Sequence, residues 1–243
     1  QDPKVFEATH GLVFEWLQQG RLQPGKVSGL RIDHIDGLYD PLAYLSQLQE
    51  KASVQSGAPV YIVVEKILSG DETLHVEWPV AGTTGYDFLG AVNNVFVDPA
   101  GLKALESTYA QFIGRQTVFA EVDYAQKKKA MDDLFAVEIQ TLALQLGLIA
   151  ERYRHSRDIS PQQIGQALRE VTASLPVYRT YTREYRISSR DRVYIEDAVG
   201  NGRQRNPDIH STAFDFVRSV LLLDVPDDQD ALRFVMRWQQ ITG

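Results

Sequence analysis

The chain has 243 residues, enough for one large or two small domains with a packed core. With 44% hydrophobic and 23% charged residues it has the composition of a soluble globular protein, and no apolar stretch reaches the ~20 residues of a membrane span. Its net charge of −7 argues against a nucleic-acid partner, and the absence of cysteine excludes disulfides and thiolate metal sites. Together with the lack of a signal-peptide pattern, these features predict a cytoplasmic protein.

The N-terminal part of the chain predicts a strand–helix–strand unit preceded by a helix. Apolar residues at helical spacing predict that helix over residues 2–20, and residues 23–25 are predicted to lead into the first strand. The strands, residues 29–32 and 60–64, flank a helix predicted from residue 40 to about 54. Such a βαβ unit predicts parallel strands whose carboxyl ends meet at one edge of the sheet.

Each of these two strands ends in a carboxylate, Asp33 after the first and Glu65 after the second. Because side chains alternate along a strand, Arg31 shares a face with Asp33, and its guanidinium favours the ionised carboxylate. Glu65 ends a more apolar strand, and apolar surroundings favour a protonated carboxyl. A charged and a protonable carboxyl at neighbouring strand ends, roughly 5 Å apart, are what retaining glycoside chemistry requires.

The remainder of the chain is predicted to be mostly helical. A polar loop over residues 69–82 contains His75 and Trp78 and precedes a Gly-Thr-Thr-Gly turn. Helices are predicted over residues 86–97, 98–113, 123–154 (as one helix or two), 160–174, 188–199, 212–223 and 228–241. The fold class is therefore α/β and mostly helical.

Several strings of this sequence are similar to one enzyme family. They are GLRIDH at residues 29–34, DGL at 36–38, VEKIL at 64–68, GTTGYD at 82–87 and PVYRTY at 176–181. Together they resemble the maltooligosyltrehalose synthases, which are retaining transglycosidases of the α-amylase superfamily (glycoside hydrolase family 13). The similarity runs along essentially the whole chain.

This resemblance implies a domain organisation and a set of catalytic roles. Residues 1–97 would be part of a (β/α)8 TIM barrel, with two parallel strands and flanking helices, and residues 98–243 an α-helical insertion domain. Asp33 would be the nucleophile, Glu65 the general acid/base and Arg31 the orienting partner of Asp33, with no cofactor and no metal. The third carboxylate of the superfamily is expected beyond Gly243, so the chain is expected to be the middle of a longer enzyme and inactive alone.

Five further residues are predicted to bind substrate, and alternatives remain for them. His34 and Asp36 contact sugar or cap a loop, and Lys66 is a sugar ligand or a charge at the rim. Trp78 and Tyr86 offer aromatic faces to a sugar, with core packing as the alternative for Tyr86. Ordinary α-amylases tend to have Lys-His where this sequence has Asp36 and a glycine, which argues against amylase hydrolysis.

The function implied is conversion of the reducing-end α-1,4 linkage of a maltooligosaccharide into an α,α-1,1 linkage, a step of trehalose biosynthesis. Two alternatives stay open, a non-catalytic carbohydrate-binding or interaction module and an α-glucan hydrolase. The expected partners are the maltooligosaccharide and the rest of the parent barrel, with no nucleic acid and no membrane. Exposed strand edges also predict self-association. Tyr178, Arg179 and Tyr181 belong to the similar strings, but the sequence predicts no mechanism for them.

Overall fold

The computed structural model describes residues 2–22, 27–226 and 228–243, without the side chains of residues 18–22. The loop predicted at residues 23–25 lies outside the described residues. The chain divides into two compact units, Gln1–Asn93 and Asn94–Gly243. The assignment of residues 1–97 to a barrel and 98–243 to an insertion stays a prediction.

The first unit is built on a small parallel sheet in the order β1-β2-β3. Its elements are α1 (Pro3–Leu22), β1 (Gly29–Ile32), a 3-10 helix (Ile35–Gly37), α2 (Pro41–Ser56), β2 (Tyr61–Val64), β3 (Gly82–Thr83) and the start of α3 (Tyr86–Val95). The predicted parallel pairing of the first two strands is confirmed, in a register that runs from Gly29↔Tyr61 to Ile32↔Val64. The sequence prediction missed β3, because a two-residue strand within a glycine-rich turn has no periodicity to reveal it.

Helices cover one face of this sheet. Ile62 on β2 packs with Phe6, Phe14 and Leu17 of α1 and with Leu48 and Ala52 of α2. Alternation places the side chains of Tyr61, Val63 and Arg31 on the opposite face, where Tyr61 is 62% exposed. The sheet of the first unit therefore has a packed face and an open face.

Local sequence signals explain the bounds of α2. The Asp40 side chain accepts a hydrogen bond from the Ala43 N–H (3.0 Å), Pro41 occupies the first turn, and Gly57 ends the helix in the left-handed conformation (φ 77°). This helix is confirmed close to its predicted range. α1 continues two residues beyond the predicted end at Gly20.

The second unit is helical, as predicted. Its helices are α4 (Pro99–Ile113), α5 (Phe119–Asp133), α6 (Ala136–Ala150), α7 (Pro161–Ala173), α8 (Ser189–Arg205), α9 (Ser211–Leu221) and α10 (Gln229–Thr242). α7 packs against α5, α6, α8 and α9. The core between them contains Leu168, Val171, Phe214 and Trp238, each no more than 2% exposed.

The apolar segment around residues 134–150 forms α6, and most of its large side chains on one side are buried in this core. The choice left open for residues 123–154 resolves into two helices, α5 and α6, bent by 90°. Among the described residues, no single helix is long and apolar enough to cross a bilayer, and only this bent pair passes that test jointly, by length and composition alone.

Candidate active site

The end of β1 presents an ion pair on the open face of the sheet. Arg31 Nη2 donates to Asp33 Oδ1 at 2.7 Å, so the contact predicted from their i, i+2 spacing is formed. Both side chains are exposed, by 60% and 71%. The pair orients the Asp33 carboxylate, but exposed ion pairs of this kind contribute little to stability.

The end of β2 places Glu65 directly beside this pair. The Glu65 N–H donates to the Ile32 carbonyl (2.7 Å), which continues the ladder one step beyond the Ile32↔Val64 pair. Asp33 and Glu65 thus follow registered residues on adjacent parallel strands, whose backbones are about 4.8 Å apart. The structure brings the two predicted catalytic carboxylates together at one edge of the sheet.

Glu65 has a polar partner from the opposite loop. Its Oε2 accepts a hydrogen bond from the His34 N–H at 2.8 Å. This contact differs from the apolar surroundings that the sequence predicts for this carboxyl, because the strand is apolar along its length whereas its end faces a loop amide.

His34 has an unusual backbone conformation at the start of the turn after β1. Its φ of 48° and ψ of 49° are left-handed, which costs a non-glycine residue about 1–2 kcal/mol. The turn that follows is the 3-10 helix Ile35–Gly37. A Cβ on Gly37 would collide with the His34 ring, so glycine at this position allows the ring to lie against the turn.

Asp36 and Lys66 lie together in a buried ionic group. Lys66 Nζ is 3.1 Å from Asp36 Oδ2 and 2.8 Å from Glu72 Oε1. The side chains of Lys66, Asp36 and Glu72 are only 2%, 10% and 6% exposed, and we call these three residues the Lys66 cluster. This burial differs from the sugar contacts predicted for Asp36 and Lys66, because neither presents its charged group to solvent.

The two aromatic candidates have different surroundings. Trp78 is 6% exposed and stacks on His75 with ring centroids 5.5 Å apart, so its burial argues against the predicted sugar platform. Tyr86 is 43% exposed at the start of α3. It borders an open depression of about 520 Å³ on the sheet, together with Arg31, Tyr61, Val63, Thr83 and Thr84.

A short hydrogen-bonded turn fixes the start of α3 beside this depression. Thr83 Oγ1 donates to Asp87 Oδ1 at 2.9 Å, and the Gly85 N–H donates to Thr83 Oγ1 at 3.1 Å. The hydrogen bond from Thr83 lowers the pKa of Asp87 below its ordinary value. The GTTGYD string therefore joins β3 to α3 and places Tyr86 on the open face.

Glu72 is the residue of this region that sequence reasoning missed. It lies in a polar loop without periodicity, and only the fold brings its carboxylate to Lys66. Its second oxygen accepts a hydrogen bond from the Ser69 N–H at 3.2 Å. Among the described residues no group of three or more His, Asp or Glu could hold a metal ion.

Comparison with known proteins identifies relatives for this arrangement. No family model matches the chain. It is 40% identical over 147 residues to a Mycobacterium tuberculosis protein (strain H37Rv) named as a maltooligosyl trehalose synthase, which is 60% of this chain and 17% of that protein.

Solved structures give the same result for the fold. The maltooligosyltrehalose synthase from Arthrobacter ramosus superposes on 99% of the chain with a TM-score of 0.76 and 32% identity. A single-residue mutant of that enzyme covers 100% of the chain with a TM-score of 0.77 and 33% identity. The chain spans 28% of each. The predicted resemblance to this family is thus confirmed over a segment of its members.

Proposed function

We propose that this chain supplies the nucleophile and the general acid/base of an enzyme like the maltooligosyltrehalose synthases. It resembles a segment of those enzymes in both sequence and fold. The observation that carries the proposal is the arrangement at the ends of β1 and β2. There Asp33, paired with Arg31, and Glu65 follow registered residues on adjacent strands. Retaining glycosidases hold their two carboxyls roughly 5–5.5 Å apart, close to the spacing of neighbouring strands.

The proposed reaction is an intramolecular transglycosylation. Glu65 protonates the glycosidic oxygen of the reducing-end α-1,4 linkage while Asp33 attacks the anomeric carbon and forms a covalent glycosyl-enzyme. The released glucose stays in the site, turns, and attacks that carbon through its own anomeric hydroxyl while Glu65 accepts the proton. Two inversions give net retention and an α,α-1,1 linkage.

The open face of the sheet has a place in this proposal. In this reading the parallel sheet is part of a (β/α)8 barrel, whose catalytic residues lie at the carboxyl ends of the strands. The open face with Arg31, Tyr61 and Val63 would then face the barrel interior. The chain spans 28% of the solved relatives, and we propose that the longer enzyme is a cytoplasmic isomerase that acts on maltooligosaccharides.

The test is a chimera in which this chain replaces the matching segment of the Arthrobacter ramosus enzyme. Incubation with maltopentaose is expected to remove reducing ends without shortening the sugar. Asp33→Asn and Glu65→Gln should each lower the rate by at least about a hundredfold, since each removes a group that acts on the reacting bond. Asp158→Asn, at a side chain 90% exposed, is the matched control and should leave the rate unchanged.

Other outcomes distinguish the alternatives. New reducing ends and shorter products would indicate an α-glucan hydrolase. A chimera that unfolds cooperatively on heating yet leaves maltopentaose unchanged contradicts the proposal. A carbohydrate-binding module predicts that the chain alone binds maltopentaose in a calorimetric titration, equally well with Asp33→Asn or Glu65→Gln.

A further inference from the structure

We propose that the Lys66 cluster positions the general acid/base, so that Glu72 and Lys66 are positioning residues of the transglycosylation rather than sugar ligands. This inference rests on the proposed function, because it assigns the cluster a task at Glu65. Its physical basis is the way in which the cluster joins the loops that follow β1 and β2.

Two connections tie these loops together. One is the hydrogen bond from the His34 N–H to Glu65 Oε2, at 2.8 Å. The other is the ion pair between Asp36 and Lys66, at 3.1 Å. Asp36 is two residues after His34, and Lys66 directly follows Glu65. Each loop is therefore held at two nearby points, and the buried connection restrains the exposed one.

Glu65 and Lys66 are neighbours in the chain, but their side chains point to opposite sides. Glu65 is half-exposed, whereas Lys66 is buried. Side chains of successive extended residues point to opposite sides, so Lys66 holds the backbone from the interior while Glu65 faces outward. A displacement of Lys66 would move the backbone that carries the Glu65 carboxyl.

Burial strengthens the attraction within the Lys66 cluster. One cation lies between two carboxylates, and all three side chains are at most 10% exposed. Charges in such surroundings interact more strongly than exposed ones and are screened little by salt. Glu72 also accepts the Ser69 N–H, so it anchors the loop after β2 to the same ammonium group.

The two carboxyl oxygens of Glu65 would have different roles in the reaction. The His34 N–H holds Oε2, so the carboxyl would exchange its proton with the substrate through Oε1. The left-handed conformation of His34 begins the turn that follows this N–H. Asp36, within that turn, links it to Lys66. A small loss of position at a reacting group is enough to slow an enzymatic step strongly.

The first experiment measures hydrogen exchange of the His34 amide by NMR in the chain itself. Lys66→Met should raise its exchange rate by about tenfold or more, because the turn opens locally without global unfolding. Lys66→Arg, which keeps the charge, should restore most of the protection. The matched control is Lys51→Met, since Lys51 pairs with Glu7 between α2 and α1, away from the strand ends. Equal protection of His34 in Lys66→Met and Lys51→Met overturns the proposal.

The second experiment measures kcat and KM in the chimera. Lys66→Met is expected to lower kcat by about tenfold to a hundredfold while KM changes less than about twofold, as expected for a misplaced catalytic group. Glu72→Gln, which keeps the size of the side chain and the Asp36–Lys66 pair, should act in the same direction with a smaller loss. An increase in KM with unchanged kcat would instead identify a sugar ligand and overturn the proposal.

The two measurements separate this inference from the proposed function. If the parent chimera lacks activity, the proposed function fails, and the exchange rates still decide whether the cluster holds His34. If the chimera is active but Lys66→Met and Glu72→Gln leave kcat unchanged, only the positioning role fails. Should Lys66→Met not fold, Glu72→Gln provides both readouts.

Discussion

At the scale of single residues, the Gln239 side chain forms hydrogen bonds with the backbone of an irregular segment. Its Oε1 accepts hydrogen bonds from Thr180 Oγ1 and from the Thr182 N–H, and its Nε2 donates to the Thr182 carbonyl, all at 2.8 Å. Gln239 and Thr180 are fully buried. One amide of α10 thus satisfies both backbone groups of Thr182 in a segment without regular structure.

This contact suggests a role for the PVYRTY string, to which the sequence assigned no mechanism. Arg179 is 1% exposed, donates to the Thr180 carbonyl (3.1 Å) and lies over the Tyr181 ring, with 5.0 Å from its guanidinium carbon to the ring centroid. Tyr178 is 45% exposed. The string therefore anchors an irregular segment within the helical unit.

We predict that Gln239→Leu lowers the free energy of unfolding by about 2–3 kcal/mol, because it leaves buried backbone groups of Thr182 unpaired. Urea denaturation followed by circular dichroism measures the change. Gln240→Leu is the control, since that side chain bonds the exposed Arg237, and it should cost less than about 0.5 kcal/mol. Equal midpoints for the two variants would contradict the role given to Gln239.

At the scale of elements, ion pairs join α8 and α9. Arg218 on α9 pairs with Glu196 on α8, and Asp224 after α9 accepts from Arg192 on α8 at 3.1 Å. The hydrogen bond from Arg218 lowers the pKa of Glu196, and that from Arg192 lowers the pKa of Asp224. A carboxyl with a lowered pKa in the folded state adds stability above its unfolded pKa and loses it as the pH falls through the folded pKa.

The free energy of unfolding should therefore decrease between about pH 5 and pH 3, as these carboxylates become protonated. Arg218→Met should be less stable than the parent at neutral pH by at most about 1 kcal/mol, because the side chains of Arg218 and Glu196 are 33% and 39% exposed. The difference should shrink in acid. Urea titrations across this range measure it.

Arg233→Met provides the comparison, since Arg233 pairs with Asp230 on the same helix and is 68% exposed. Its stability difference should be small at every pH. If Arg218→Met and Arg233→Met show the same pH dependence, the pairs between α8 and α9 do not contribute as described.

At the scale of the whole molecule, several helices carry large apolar side chains in contact with solvent. Phe88 and Phe96, within and just after α3, are 73% and 83% exposed, and Phe112 on α4 is 89% exposed. Neither α3 nor α4 has a buried residue within the described part of the chain. Large exposed apolar surface is typical of protein–protein interaction sites.

We predict that the chain self-associates, with an average mass in sedimentation that rises as its concentration increases. Phe88→Asp with Phe96→Asp should weaken this association without loss of helix content, because both side chains are already exposed. Val76→Asp is the control, since Val76 is 98% exposed in a loop outside these helices. A monomer at every concentration, or equal effects of all three substitutions, would contradict this prediction.

Most secondary structure of this protein follows from local sequence. Asp40 and Asp98 each cap a helix that begins with proline, and the capping hydrogen bonds involve residues only three positions apart. The approach of Asp33 and Glu65 also follows from the sequence, because parallel strands joined by one helix align their ends. The Arg31–Asp33 contact needs only the alternation of a strand.

Burial and long-range pairing were decided by the tertiary structure. The sequence around Lys66 does not distinguish a buried lysine from an exposed one at the edge of the sheet. The fold brings Glu72 and Asp36 to Lys66 from two loops. In the same way the two residues of β3 become a strand by pairing with the edge of β2. The sequence by itself determined most of the helices and the approach of Asp33 and Glu65, whose cause lies within one βαβ unit. Only the tertiary structure decided which charges are exposed and which are buried, because the burial of a side chain depends on how the elements pack together.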